Sequence, residues 1–197
     1  QGGRDMSEPL SPAPLSTRRK AETAAQHQLL DNEISGRNLL GSAQGYRDFV
    51  RLQYRFHRDL DPVYRDTRLE AFIPDLQSRN RFAHITQDMK DIGLDIPRQD
   101  TPNGPDFFTR MQTETAIGWL YVAEGSKLGA NILDKLAQNL GYSADFGARH
   151  LAPDPAGRGP SWLAFRNMLD DTAIDPEACI DGARDAFAHM ARYLAEQ

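Results

Sequence analysis

The sequence predicts an all-α, single-domain fold, and three observations carry that expectation. Apolar residues recur at helical spacing through most of the 197 residues, no stretch alternates with period two for long enough to form a strand, and cap residues and glycine stops bracket the helical stretches. A chain with 40% apolar and 26% charged residues is ordinary for a protein that buries one core. A net charge of -5 argues against a nucleic-acid partner, because neutralising phosphates takes an excess of lysine and arginine. No run of about eighteen apolar residues and no export pattern is found, so a cytoplasmic protein without a membrane span is expected. The lone Cys179 rules out an internal disulfide and reads as a small core residue.

Residues 1–15 hold Pro9, Pro12 and Pro14 with few large apolar groups and read as a disordered tail, so the domain is expected over 16–197. Gln1 to Asp5, before Met6, look like an appended leader and are set apart from the fold. Ser16 offers a cap for a helix over 17–32, which carries Ala21, Ala24, Ala25, Leu29 and Leu30 with His27 among them. Ser42 caps a second helix to about Leu60, with Tyr46, Phe49, Val50, Leu52, Tyr54 and Phe56 as its apolar residues and Pro62 as its break. Leu69 to Ile73 forms a short helix stopped by Pro74, and Ser78 to Ile92 another, closed by Gly93. A proline-rich loop from Gly93 to Asp106 leads to a long helical pattern from Phe107 to Leu140, stopped by Gly141. Trp162 to Leu169 is helical. Asp175-Pro176-Glu177 then caps a last helix that turns Ala183, Phe187, Met190, Ala191 and Leu194 inward.

The long pattern keeps Gly118, Gly125 and Gly129 inside it, although each glycine costs a helix interior about 1 kcal/mol against alanine. At separations of seven and four they share one face, so the helix offers a strip of bare backbone. Two occupants fit such a strip: another helix packed closely, or a flat ligand.

None of His27, His57, His84, His150 and His189 forms a helical two-histidine zinc pair, and neither a nucleophile elbow nor a phosphate-binding glycine loop is found. What remains is a ligand held by one histidine. Heme is flat, and it needs a neutral imidazole on the iron, an apolar slot and polar partners for two propionates. His27 suits the iron, with Lys20 on nearly the same face about 10 Å along the helix. On the glycine helix, Tyr121 precedes Gly125 by one turn and could offer its hydroxyl to a propionate. Each residue taken singly also has an ordinary reading: a packed histidine, a solvated lysine, a core tyrosine.

The segment Gly118-Trp-Leu-Tyr-Val-Ala-Glu-Gly-Ser-Lys-Leu-Gly-Ala130 resembles the distal-helix signature of heme oxygenases, closest to their short bacterial iron-acquisition branch. Ala25-Gln26-His27-Gln28-Leu29-Leu30 resembles the proximal helix, and Gln53-Tyr54-x-Phe56-His57-x-Asp59-Leu60 the helix after it. Phe146 to Leu151 and Trp162 also match that branch, in the same order. One departure is Leu30 and Asp31, where the family often has a glutamate.

The resemblance implies His27 as iron ligand, Lys20 and Tyr121 as propionate partners, and Gly125, Ser126 and Gly129 as the turn lying over the heme. Gln53, His57 and Arg81 match the polar network that holds distal water, although Arg79 competes with Arg81 for its place. Gln53 and His57 also fit an ordinary i, i+4 hydrogen-bonded pair, and Lys127 fits either a solvated charge or a distal role. The implied activity is oxidative cleavage of heme, both cofactor and substrate, by O₂ and electrons to biliverdin, CO and ferrous iron. Lys20 and Tyr121 resemble the pair found in members that give the α isomer. Electrons must come from a ferredoxin or flavoprotein reductase, for which Arg18, Arg19 and Lys20 offer a basic landing site on an otherwise monomeric protein. The alternative from another class is a heme-binding protein that stores or transfers heme without cleaving it. Both would lose the Soret band in His27→Ala, but only the enzyme consumes it with reductant and O₂.

Overall fold

In the computed structural model of the chain, residues 39, 41–98, 111–170 and 174–196 are described. The tail expected over 1–15, the helix expected over 17–32 with Lys20 and His27, and positions 99–110 lie outside them. Helix α1, Ala43–Tyr64, starts where expected: the Ser42 side chain accepts from the Gly45 N–H at 3.0 Å. It runs past the expected stop at Pro62. Two residues from a helix end a proline removes only one hydrogen bond, while Val63 and Tyr64 are buried and hold the last turn on the core.

Two 3₁₀ turns, Leu69–Ala71 and Leu76–Arg79, replace the short helix expected at 69–73 and the start of the one expected at 78–92. Helix α2, Phe82–Asp91, begins late because Asn80 turns the chain. Its side chain accepts from the Phe82 N–H at 3.0 Å and donates to Asp61 at 2.8 Å. Gly93 ends this segment at φ +73, in the region that favours glycine.

The long helix expected over 107–140 is two helices among the described residues. Helix α3, Thr113–Leu128, breaks at Gly129 and continues as α4, Ala130–Asn139, with Gly141 at φ +92 as its stop. A 3₁₀ turn, Arg149–Leu151, precedes α5, Arg158–Asp170. Helix α6, Pro176–Ala195, is capped by Asp175, which accepts from the Glu177 N–H at 3.0 Å. Of its expected inward residues, Ala183, Met190 and Leu194 are buried and Phe187 is partly so, whereas Ala191 is exposed and Ile180, Ala186 and Tyr193 take the inner face. No strand occurs among the described residues, only isolated bridges at Ser143, and none of their helices is long and apolar enough to cross a membrane.

Helix α3 is the axis of the bundle, buried without interruption from Ala116 to Glu124. It packs mainly along α6, with α1 and α5 against its other sides. Gly118 explains how close that packing is. A Cβ there would stand 2.1 Å from the Cys179 carbonyl oxygen, and one on Gly182 would stand 2.3 Å from the Thr115 carbonyl oxygen. The two glycines let the backbones of α3 and α6 interlock. Gly118 therefore belongs to helix packing and leaves the expected three-glycine strip. Between α1 and α6, Asp59 of α1 is buried, accepting from His189 Nε2 at 2.7 Å and from the Tyr193 hydroxyl.

Candidate active site

Burial stops abruptly after Glu124. Gly125 is half-buried, Ser126 and Gly129 are exposed, and Leu128 and Ile132 keep 43% and 66% of their surface open. A Cβ on Gly129 would meet nothing within 4 Å, whereas one on Gly125 would lie 3.5 Å from the Trp162 ring. Bare backbone at a helix break, flanked by exposed leucine and isoleucine, fits the face of a flat apolar molecule. The Ser126 hydroxyl donates to the Ala123 carbonyl oxygen at 2.7 Å, back into its own helix. Tyr121 is buried one turn earlier, its ring tilted against Trp162 with centroids 5.4 Å apart.

Gln53 is half-buried on α1, and one turn later His57 is buried with no hydrogen-bond partner on Nδ1. Burial drives the His57 pKa down to about 3, and the nearby His150, Lys127 and Arg81 push it the same way. His57 is thus a neutral imidazole wherever the protein works, able to hold water but not to act as a cation. Below its ordinary value of 6.5 the unfolded chain protonates this residue while the folded chain does not. The unfolded state then carries more protons, so stability rises with pH between about 3 and 6.5, by at most about 1.4 kcal/mol per unit. His57→Gln is expected to flatten the slope of stability against pH by up to one proton in that window. Denaturant titrations at several pH values check this, and an unchanged slope counts against a neutral His57.

Between the two arginines that compete in the sequence, the structure separates the roles. Arg79 is buried and committed to Asp75 at 3.0 Å, Glu124 at 3.2 Å and Ser161. Arg81 pairs with Asp154, leaves its Nε without a partner and lies within electrostatic reach of His57. Arg81 lines a water-sized cavity with Lys127, Asp154 and Ser161, and Arg79 does not face it.

Two groups contain pairings that the sequence did not announce. Asp88 of α2 is fully buried and accepts from the Arg149 N–H at 2.9 Å, the His150 N–H at 3.0 Å and His150 Nδ1 at 2.6 Å. The carboxylate holds a proton on Nδ1, and the buried His150 Nε2 is left without a partner. His57 and His150 each keep an orphan ring nitrogen, which calls for water or a ligand. The second group surrounds Glu124, which is 2% exposed. It accepts from the Tyr64 hydroxyl at 2.8 Å, Arg79 Nη1 at 3.2 Å and Lys127 Nζ at 2.9 Å. Lys127 is not a solvated charge, since its ammonium also donates to the Arg79 carbonyl oxygen at 2.6 Å.

Comparison with known proteins agrees with this geometry. The heme oxygenase family model matches residues 13–196. The chain is 36% identical over 185 residues to the heme oxygenase PigA of Pseudomonas aeruginosa, covering 89% of this chain and 92% of that protein. It superposes on the NO- and CO-bound heme oxygenase of Neisseria meningitidis with a TM-score of 0.83 at 40% identity, over 94% of this chain and 92% of the other. The fold alone is shared, at 14% identity and a TM-score of 0.75, with the heme-free heme oxygenase 2 of Chlamydomonas reinhardtii, over 93% of this chain and 97% of that one. An all-α bundle with bare backbone at a helix break, matched along nearly its whole length, leaves one assignment: the chain belongs to the heme oxygenase family, oxidoreductases that degrade heme.

Proposed function

We propose that this protein cleaves heme with O₂ and externally supplied electrons to the α isomer of biliverdin, CO and ferrous iron. The observation that carries the reading is the exposed backbone at Gly129 between Leu128 and Ile132, in a chain that matches heme oxygenases over residues 13–196. Bound heme would supply both the iron that activates O₂ and the ring that is opened. His27 would hold the iron from the proximal side, and Lys20 and Tyr121 would fix the rotation of the ring through its propionates. Gly125, Ser126 and Gly129 would form the distal ceiling. Bare backbone at Gly125 and Gly129 would let the turn lie close to the ring and would bring no acidic side chain to it.

Gln53, His57 and Arg81 would hold the distal water. The neutral His57, with its buried unpartnered Nδ1, can accept from a water molecule, and Arg81 can donate to another. Protons then reach the site through ordered water rather than from a charged histidine. Electrons would come from a ferredoxin or flavoprotein reductase docking on a monomer.

Titration with hemin is expected to give a Soret band that disappears when reductant and O₂ are added, with biliverdin and chelatable ferrous iron as products. A band that survives reduction in air identifies a storage or transfer protein instead. Chromatography of the extracted pigment should show the α isomer, and mainly β and δ isomers would overturn the assignment of Lys20 and Tyr121.

A further inference from the structure

The turn that carries Gly125 and Gly129 has surrendered the side-chain packing that normally fixes the end of a helix. Nothing lies within 4 Å of where a Cβ on Gly129 would stand, and Ser126 and Leu128 are exposed. Its position must therefore be set from elsewhere. The opposite side of the same turn supplies the answer in Glu124 and Lys127, one residue before Gly125 and two before Gly129.

Glu124 is a buried carboxylate with three donors from three parts of the chain: Tyr64 at the end of α1, Arg79 of the second 3₁₀ turn and Lys127 of its own helix. Lys127 ties the turn to the Arg79 backbone, and Arg79 continues to the Ser161 side chain of α5 at 3.2 Å. Arg158, also on α5, donates at 3.3 Å to the Lys127 carbonyl oxygen, one of those left open at the end of α3. The last turn is thus held by charge-assisted bonds to α1, the 3₁₀ turn and α5.

Stability alone does not account for this arrangement. Burying several charges carries a desolvation cost, and apolar residues of similar volume generally serve a core as well or better. What a directional network adds is a fixed position. Burial pushes the Tyr64 hydroxyl pKa well up and Glu124 adds to it, so Tyr64 keeps its proton and remains a donor.

We infer that Glu124 is a positioning residue for heme cleavage: through Tyr64, Arg79 and Lys127 it sets the height of the Gly125–Gly129 backbone over the bound ring. The inference rests on the heme oxygenase reading above. It places selectivity partly in a residue that faces away from the ligand.

The test compares wild type, Glu124→Gln and Lys127→Met. Glu124→Gln keeps the shape and an acceptor at Oε1 for Tyr64 and Lys127 but turns an amide N–H₂ toward Arg79. Lys127→Met keeps the stem and removes one tether, and it serves if Glu124→Gln does not fold. Melting of the heme-free proteins reports stability, hemin titration reports binding, and displacement of CO from the ferrous complex reports how closely the turn covers the iron. The expected result is hemin affinity within about threefold of wild type, CO release altered by about fivefold or more, and a changed ratio of biliverdin isomers. CO release and isomer ratio matching wild type in a variant that merely melts earlier would reduce the cluster to a structural one and overturn the inference. Failure of wild type itself to bind hemin or consume it would strike the functional reading instead.

Discussion

Gly118→Ala is expected to destabilise the protein by about 2–3 kcal/mol, and a larger residue there to prevent folding. Alanine in a helix gains about 1 kcal/mol over glycine from backbone entropy, so the sign depends on the size of the clash. Here the added methyl would stand 2.1 Å from the Cys179 carbonyl oxygen and 2.7 Å from the Ala183 nitrogen, both backbone atoms of α6. Neither can swing aside as a side-chain tip does, so α3 and α6 would have to separate along their longest contact. Thermal unfolding should show a loss of roughly 5–10 °C for a chain of this size. A melting temperature equal to wild type would mean that the two helices are not interlocked.

Gly129→Leu is expected to do the opposite, leaving the fold intact and removing function. Gly129 has φ −84 and ψ 0, which any residue adopts, and a Cβ there meets nothing. The heme-free protein should melt within a few degrees of wild type. Leucine would however fill the space under the distal turn, so heme turnover should fall by about tenfold or more, with a shifted isomer ratio. Wild-type rate and product would show that this surface does not face the ring. At Gly125 the same substitution is a poorer probe, because its side chain would start against Trp162.

These two glycines show where sequence reading succeeds and where it stops. Among the described residues periodicity placed the α-helices, though it ran α3 and α4 together, and Ser42, Gly93, Gly141 and Asp175 marked ends correctly, because caps and stops are decided by residues close in sequence. Identical spacing could not tell Gly118, pressed on α6, from Gly129, open to the outside, since the difference lies in what stands opposite. The run through Pro62 has the same origin: burial of Val63 and Tyr64 outweighed a local break signal. His57 and Arg81 were found through their family pattern, and the structure brings them within electrostatic reach of each other. Asp88 with His150, and Glu124 with Tyr64, were not found. Their partners are 62 and 60 positions apart, and nothing local in either segment announces the pairing.

The interlock of Gly118 with α6 also makes α3 a cantilever. Its root is gripped where the two helices mesh, and its tip, steadied on one side through Glu124 and Lys127, leaves bare backbone at Gly129 on the other. Such a beam separates what must stay constant from what can vary: substitutions at the exposed Ser126, Leu128, Gly129 and Ile132 are expected to leave the root intact. On the proposed reading, a search for altered product selectivity can be confined to those positions, and the same partition would give natural drift a route to new selectivity on an unchanged frame.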